Sequence, residues 1–225
     1  LEILIIHSKN EQQKSVSNQV QTARIMANGD LLYHDGLYMS ALQADGSYDF
    51  TENFTYVKPW LKQADLVLGD FEGTINPDYP LSGYPLFNAP QSVTAAISDA
   101  GYDVMDLAHN HILDSGLEGA FTTADAFKEV GIDPVGVYEN PVRDKAPLFI
   151  KNVNGIKVAI LSYAYGFNGL ESNLTEKEIA NHLSNLDEKR MKVEIERAEK
   201  EADVTVIMPQ MGVEYRLEPT DEQVK

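Results

Sequence analysis

Acidic, amide and imidazole side chains come directly after three short apolar runs of the sequence. The residues concerned are Asp30, Asp70, Glu72, Asn110 and His111. Carboxylate, amide and imidazole groups together form a mixed oxygen and nitrogen ligand set of the kind that Mn, Fe and Zn accept. Such a set can hold two divalent ions roughly 3.5–4 Å apart, which activate a shared water and clamp a phosphoryl or acyl oxygen. These residue types and their spacing therefore indicate metal-assisted hydrolysis.

A simpler interpretation competes with this one at each position. A single Asp after a strand is more often a helix cap or a turn residue than a metal ligand. Three strand ends with such residues favour a functional site over three separate caps. A polar turn that starts a helix would explain Asp114 and Ser115, but it would leave His109 and His111 without a reason.

The elements that would position these residues alternate along the chain. Apolar and β-branched runs predict strands at 24–28, 65–69, 102–107, 134–137, 148–153, 156–163 and 204–208. Asn154-Gly155 separates two of these runs and is the strongest short hairpin signal, so antiparallel pairing is expected beside parallel pairing. In open α/β sheets, ligands gather at the carboxyl ends of the strands. The sequence thus predicts a mixed sheet with the polar residues at one edge.

Helices are predicted from apolar stripes and end signals. One helix begins at Pro90 and stops at Gly101, and another begins with a Ser115 to Glu118 capping box. Thr175 with Glu178, and Ser184 with Asp187, predict the starts of two more, the second running to about position 202. The segment 31–48 mixes Gly, Asp, His and Tyr and is expected to be a loop.

Composition narrows the range of partners and ligands. Against 35 Asp and Glu stand 18 Lys and Arg, and the formal net charge of -17 repels nucleic acid and anionic lipid headgroups. No Cys occurs, so any metal must be held by oxygen and imidazole ligands.

The first 22 residues differ from the rest. An apolar start at 1–6 leads into a polar stretch at 8–22, which is typical of a tether or the remnant of an anchor; a vector-derived or frayed terminus would explain it equally well. We therefore expect a tether at 1–22 and one domain at 23–225. Because position 225 lies soon after a predicted strand, we expect that domain to continue further.

Four short segments of the sequence resemble those of a known family, the CapA-type capsule (poly-γ-glutamate) biosynthesis proteins. This family is a branch of the calcineurin-like metallophosphoesterase superfamily. The marks are Ala27-Asn28-Gly29-Asp30, Asp70-Phe71-Glu72, the run 107–116, and Gln210 to Tyr215. The third mark usually reads Ala-Asn-Asn-His-x-x-Asp-x-Gly, so Asn110 and His111 are kept. The fourth usually reads His-Trp-Gly-x-Glu-Tyr, and here Gln210 replaces its His.

The resemblance implies a metallophosphoesterase-like, mixed-sheet α/β sandwich that holds one or two divalent ions (Mn, Fe or Zn). The metal ligands it implies are Asp30, Asp70, Glu72, Asn110 and His111, with Gln210 as a weaker ligand in place of an imidazole. His34 lies where related enzymes place a further His, so it is either a ligand or a loop residue. Asp30, Asn110 and His111 are the implied catalytic residues.

Two functions follow as hypotheses. The first is a metal-dependent phosphoesterase-like hydrolase of capsule or wall polymer biosynthesis, which acts on the polymer or its precursor beside other capsule proteins. It would be extracytoplasmic, secreted or attached to the membrane only through an N-terminal anchor. The second is a non-catalytic assembly or polymer-binding factor on the same scaffold, which Gln210 favours. Metal content and phosphodiesterase turnover separate the two hypotheses.

Overall fold

Eight strands and seven helices make up the part of the chain that the structure, a computed structural model, describes: residues 2–8, 20–213 and 215–224. The strands are β1 (Glu2–Ser8), β2 (Gln21–Asp30), β3 (Leu66–Asp70), β4 (Val104–Asp106), β5 (Asp133–Val135), β6 (Ile150–Val153), β7 (Ile156–Ala164) and β8 (Val204–Gln210). The helices are α1 (Asp35–Ala41), α2 (Lys58–Leu61), α3 (Val93–Ala100), α4 (Gly116–Glu129), α5 (Glu176–His182), α6 (Glu188–Glu201) and α7 (Asp221–Val224). Short 3-10 turns lie at Thr51–Phe54, Arg143–Lys145 and Leu170–Asn173.

These strands form two sheets that stack face to face. The larger has the order β1-β2-β3-β4-β5 and is parallel except for β1, and the smaller has the order β6-β7-β8. In the smaller sheet β6 and β7 form the antiparallel hairpin that Asn154-Gly155 predicts, and β8 runs parallel to β7. The predicted mixed α/β sandwich is confirmed.

Successive side chains of a strand point to opposite faces of the sheet, and the apolar ones fill three layers. Met105 faces the helices and packs in one cluster with Ile97 of α3. Leu68 points the other way, into the layer between the sheets, where it meets Val158 of β7. Ala198 of α6 covers the outer face of the smaller sheet. Because β3 and β4 are buried on both faces, their register is strongly fixed.

One irregularity in that register matters for the site. Ala27 of β2 pairs with Leu68 of β3, yet Asp30 pairs with Asp70, so three residue steps on β2 match two on β3. A bulge of one residue turns the side chains that follow it to the opposite face of the sheet. Without the bulge, Asp30 would stand opposite Phe71 rather than beside Asp70.

Several local predictions are wrong. Helix α3 begins at Val93 and not at Pro90, and Ser184 starts no helix, because Asp187 caps α6 and the Ser184 hydroxyl donates to Ser162 O. Residues 35–41 form helix α1 inside the segment expected to be a loop, and Tyr38 and Ala41 bury its inner face. Ser115 stands before α4, but its hydroxyl makes no capping bond and instead donates to Thr74 Oγ1 at 2.8 Å. By contrast, Thr175 and Glu178 form the predicted capping box at the start of α5.

The N-terminal segment contains a strand. Residues 2–8, part of the predicted tether, form β1 and pair antiparallel with β2, while residues 9–19 lie outside the described residues. The division into a tether and a domain therefore stays a prediction. Among the described helices, none has the length and apolar character needed to cross a membrane.

Replacing Leu68 with Ala should lower the free energy of unfolding by about 2–5 kcal/mol, because the side chain is fully buried between the sheets and truncation leaves a cavity. Leu217→Ala removes the same atoms from a fully exposed side chain and should change stability by less than about 0.5 kcal/mol. Urea denaturation of both variants measures the difference. Equal losses would contradict the inter-sheet core.

Candidate metal site at the carboxyl edge of the larger sheet

A row of three carboxylates crosses the larger sheet at its carboxyl edge. Asp30 on β2 pairs in register with Asp70 on β3, which pairs in register with Asp106 on β4. Neighbouring strands lie about 4.8 Å apart, so paired positions on one face hold their side chains close together. Asp70 and Asp106 are both buried. Two buried acidic groups thus lie side by side, with the exposed Asp30 next to Asp70 at the edge of the sheet.

The surroundings raise the pKa values of Asp70 and Asp106 in this row and of the nearby Glu72. Burial is the largest cause for Asp70, followed by the charges of Asp106, Asp30 and Glu72, and together they raise its pKa from 3.8 to about 9. Burial and then a hydrogen bond with Asp30 raise the pKa of Glu72 to about 7. Burial also raises the pKa of Asp106 to about 7, although the Ser162 hydroxyl and the Ala108 N–H both donate to it. A bound cation would therefore stabilise the ionised forms of Asp70, Glu72 and Asp106.

His111 faces this cluster with a defined ring orientation. Its Nδ1 lies 2.7 Å from Asp114 Oδ2, which also accepts the Phe87 N–H at 2.6 Å. Because that oxygen accepts from a backbone amide, Nδ1 carries the proton and donates to Asp114. Nε2 then lies on the side of Glu72, 3.9 Å from its Oε1. A carboxylate that orients a histidine in this way is the usual support of a metal-binding imidazole.

Asn110 is held by two residues of the smaller sheet's edge: Gln210, the last residue of β8, and Asn168, which lies in the loop after β7. The Asn110 backbone N–H donates to Gln210 Oε1 at 2.7 Å, and Gln210 Nε2 donates to Asn110 Oδ1 at 2.8 Å. Asn110 Nδ2 donates to Asn168 Oδ1 at 3.1 Å. Both ends of the Gln210 amide are therefore engaged with Asn110. The oxygen of Asn110 keeps a second lone pair, so a cation can still be bound there.

A cavity of about 760 Å³ joins these groups. The predicted residues that line it are Asp30, His34, Glu72, Asn110, His111 and Gln210. Asp70 lies below them as a buried member of the carboxylate row. The His34 ring packs edge-on against Phe87 with ring centroids 4.8 Å apart, and Phe87 makes the same contact with His111. Glu214 lies outside the described residues.

Three residues of this arrangement were not among the predicted ligands. Asp106 falls inside a predicted strand, and only its register with Asp70 reveals it. Asp114 was explained as a turn residue, although its spacing of three from His111 allows the contact that it makes. Asn168 begins an Asn-Gly pair, a turn signal that could have been noticed but whose position in space the sequence does not give.

The donor set fits a divalent cation. Asp70 Oδ1 is buried and lacks a hydrogen-bond partner, and a buried polar atom in that state is costly unless a cation or donor satisfies it. The ligand types are those of Mn, Fe or Zn sites without thiolates. Within residues 2–8, 20–213 and 215–224, however, no three His, Asp or Glu side chains are already arranged around one ion. Binding would therefore require these carboxylates to adjust.

Asp70→Asn should flatten the pH dependence of stability in protein treated with chelator. Since the folded state holds the Asp70 proton up to about pH 9 and the unfolded state releases it near 3.8, wild-type stability falls as pH rises between these values. The variant should lose less stability between pH 5 and pH 8, as measured by urea denaturation. Asp125→Asn, at a half-exposed position on α4, is the control and should follow the wild type. An unchanged slope in Asp70→Asn would contradict the crowded cluster.

The two stacked sheets with outer helices, and the carboxylate row at their strand ends, define an α/β sandwich consistent with the metallophosphoesterase superfamily. The chain belongs to the family described as bacterial capsule synthesis protein PGA_cap, whose profile matches residues 24–225. The resemblance to CapA-type proteins is thereby confirmed.

Two relatives of this chain are named CapA. The chain is 32% identical over 179 residues to the capsule biosynthesis protein CapA of Bacillus anthracis, a match that covers 76% of this chain and 43% of that protein. It is 26% identical over 214 residues to the PGA biosynthesis protein CapA of Bacillus subtilis (strain 168), covering 93% of this chain and 54% of that protein. The chain thus spans about half the length of these relatives.

Proposed function

We propose that this chain carries a metal-dependent, phosphoesterase-like hydrolase site that serves the synthesis of a capsule or wall polymer. The observation that carries this proposal is the row of Asp30, Asp70 and Asp106, in which a buried oxygen of Asp70 has no hydrogen-bond partner. Repulsion among buried carboxylates weakens a fold unless a cation offsets it. We infer from the presence of such a row that the protein binds a cation there.

The residues that would hold divalent ions are Asp30, Asp70, Glu72, Asn110 and His111. When bound, the ions would polarise a phosphoryl oxygen and lower the pKa of a water nucleophile. Asp30 and Asp70 end β2 and β3, and the other three lie in the segments after β3 and β4, so the sheet brings all five to one edge. Gln210 contributes by holding Asn110 through two hydrogen bonds.

His111 has the geometry to move a proton. Asp114 accepts from Nδ1 at 2.7 Å, which leaves Nε2 directed toward Glu72 and the cavity. An imidazole fixed by a carboxylate can donate a proton to a leaving oxygen or bind a cation through the other nitrogen. Phe87 packs edge-on against the ring and keeps one side of it away from water.

Arg216 is a candidate contact for an anionic substrate. It lines the same cavity as Glu72 and His111, and a guanidinium suits phosphate or carboxylate oxygens. The protein as a whole is strongly acidic and repels anions at long range. Arg216 and the bound cations would therefore supply local positive charge for a phosphoester of the polymer or of its precursor.

A non-catalytic role in polymer binding is the second candidate, and one observation favours it. Gln210 replaces an imidazole and uses both ends of its amide on Asn110, while His34 packs against Phe87. Fewer imidazoles then reach the carboxylates than the family pattern implies. In either role we propose an extracytoplasmic location, with other capsule proteins as partners.

Glu72→Gln should reduce both the bound metal and the hydrolysis of bis(p-nitrophenyl) phosphate. The substitution removes one charge from the cluster and leaves the side-chain shape unchanged, so the loss should be at least about tenfold in metal affinity. Metal content after dialysis against Mn²⁺, and turnover with and without chelator, measure the two effects. Glu199→Gln on the exposed face of α6 removes the same charge and should change neither.

The outcomes separate the two roles. Metal binding with chelator-sensitive turnover supports the hydrolase. If the protein binds no metal and shows no turnover but still binds capsule polymer, the result supports the assembly factor and contradicts the hydrolase proposal.

A further inference from the structure

Asn168 lies in the loop after β7 and bridges Asn110 and His111. Its backbone has a left-handed φ of 54°, and the next residue, Gly169, has a φ of 81°. Phe167 before it is buried and anchors the loop in the core. The Asn168 side chain is itself exposed, so it fills no cavity in the apolar core. Asn accepts the left-handed backbone more readily than most residues, so the contacts of the side chain, and not the backbone conformation, carry the argument that follows.

Asn168 belongs to a chain of hydrogen bonds between amides, and one backbone N–H determines which group donates and which accepts at each step. The Asn110 backbone N–H can only donate, so the Gln210 oxygen must face it, and the Gln210 NH₂ must face Asn110 Oδ1. The Asn110 NH₂ is then turned toward Asn168 Oδ1. This order leaves the Asn168 NH₂ directed toward His111. One amide of the main chain thereby sets the orientation of three side-chain amides.

The contact with His111 differs from an ordinary hydrogen bond. Asn168 Nδ2 lies 3.4 Å from both ring nitrogens of His111. Because Nδ1 carries the proton that it donates to Asp114, only Nε2 offers a lone pair, and a donor at equal distance from both nitrogens does not lie along it. The Asn168 amide therefore packs against the imidazole ring. This contact limits how far the ring can turn while its Nδ1 stays hydrogen-bonded to Asp114. Asn168 thus touches Asn110 with one end of its amide and His111 with the other.

We propose that Asn168 is a positioning residue that locks the Asn110 amide and the His111 ring in one joint orientation. The chemical consequence rests on the proposed function, since these two side chains are proposed metal ligands. Loss of the Asn168 amide would uncouple the orientations of Asn110 and His111, although Gln210 would still hold the first and Asp114 the second. Of these two side chains, Gln210 bonds to Asn110, and Asp114, which also accepts the Phe87 N–H, bonds to His111.

A second Asn-Gly pair provides a matched control. Asn154 has the same φ of 54°, is followed by Gly155 with a φ of 87°, and is also exposed and hydrogen-bonded through its side chain, to Thr22 O. It lies in the β6–β7 turn, outside the cavity. Asn168→Gly and Asn154→Gly therefore remove the same atoms from the same backbone conformation. A difference between them reports the position of the side chain and not the cost of the turn.

The test uses the chain as it stands, with two readouts. In protein treated with chelator, nuclear magnetic resonance of the Asn110 side-chain amide and the His111 ring should show changed shifts and broader signals in Asn168→Gly, and no change in Asn154→Gly. Mn²⁺ affinity by titration calorimetry should fall about tenfold in Asn168→Gly alone. Asn168→Asp keeps the oxygen that faces Asn110, so the Asn110 signal should move less than the His111 signal.

The results distinguish this proposal from the proposed function. Unchanged Asn110 and His111 signals in Asn168→Gly would overturn the positioning role, whatever the metal data show. If the wild type binds no Mn²⁺, the metal site fails, while the signals measured without metal still decide the role of Asn168. Changed signals with an unchanged Mn²⁺ affinity would overturn the claim that the locked orientation serves metal binding.

Discussion

Repulsion within the carboxylate row is the interaction on which the rest of the site depends. Asp30, Asp70 and Asp106 are aligned across three parallel strands, and burial of Asp70 and Asp106 removes the water that would screen their charges, whereas Asp30 remains exposed. Apolar packing on both faces of the sheet holds the strands in register and keeps the groups together in spite of their repulsion. The fold therefore stores the electrostatic cost that a cation would relieve.

The parts of the fold that the sequence predicts are those governed by local chemistry. The Asn154-Gly155 hairpin and the end of α3 at Gly101 were predicted correctly, because both rest on residues that accept a left-handed backbone. Helix α1 was missed, since its apolar stripe is short and mixed with polar residues. The capping box at Ser115 failed because a tertiary contact with Thr74 competed for the hydroxyl.

The site was predictable in part, for a related reason. Residues that directly follow strands, such as Asp30 and Glu72, were identified because parallel strands bring their carboxyl ends to one edge. Asp106 was missed, because its membership depends on strand register and on the bulge in β2, neither of which residue types reveal. The contacts of Asn110 with Gln210 and Asn168 span 100 and 58 residues of sequence. No pattern of local periodicity contains them.

The bonds between Asn110 and Gln210 also join the two sheets, since Asn110 follows β4 and Gln210 ends β8. A ligand that draws Asn110 toward itself therefore also pulls on the end of β8. By thermodynamic linkage any such coupling is reciprocal: a partner that shifts the end of β8 would alter the affinity for that ligand by the same factor. The amides of Asn110 and Gln210 thus make the contact between the two sheets part of the site itself.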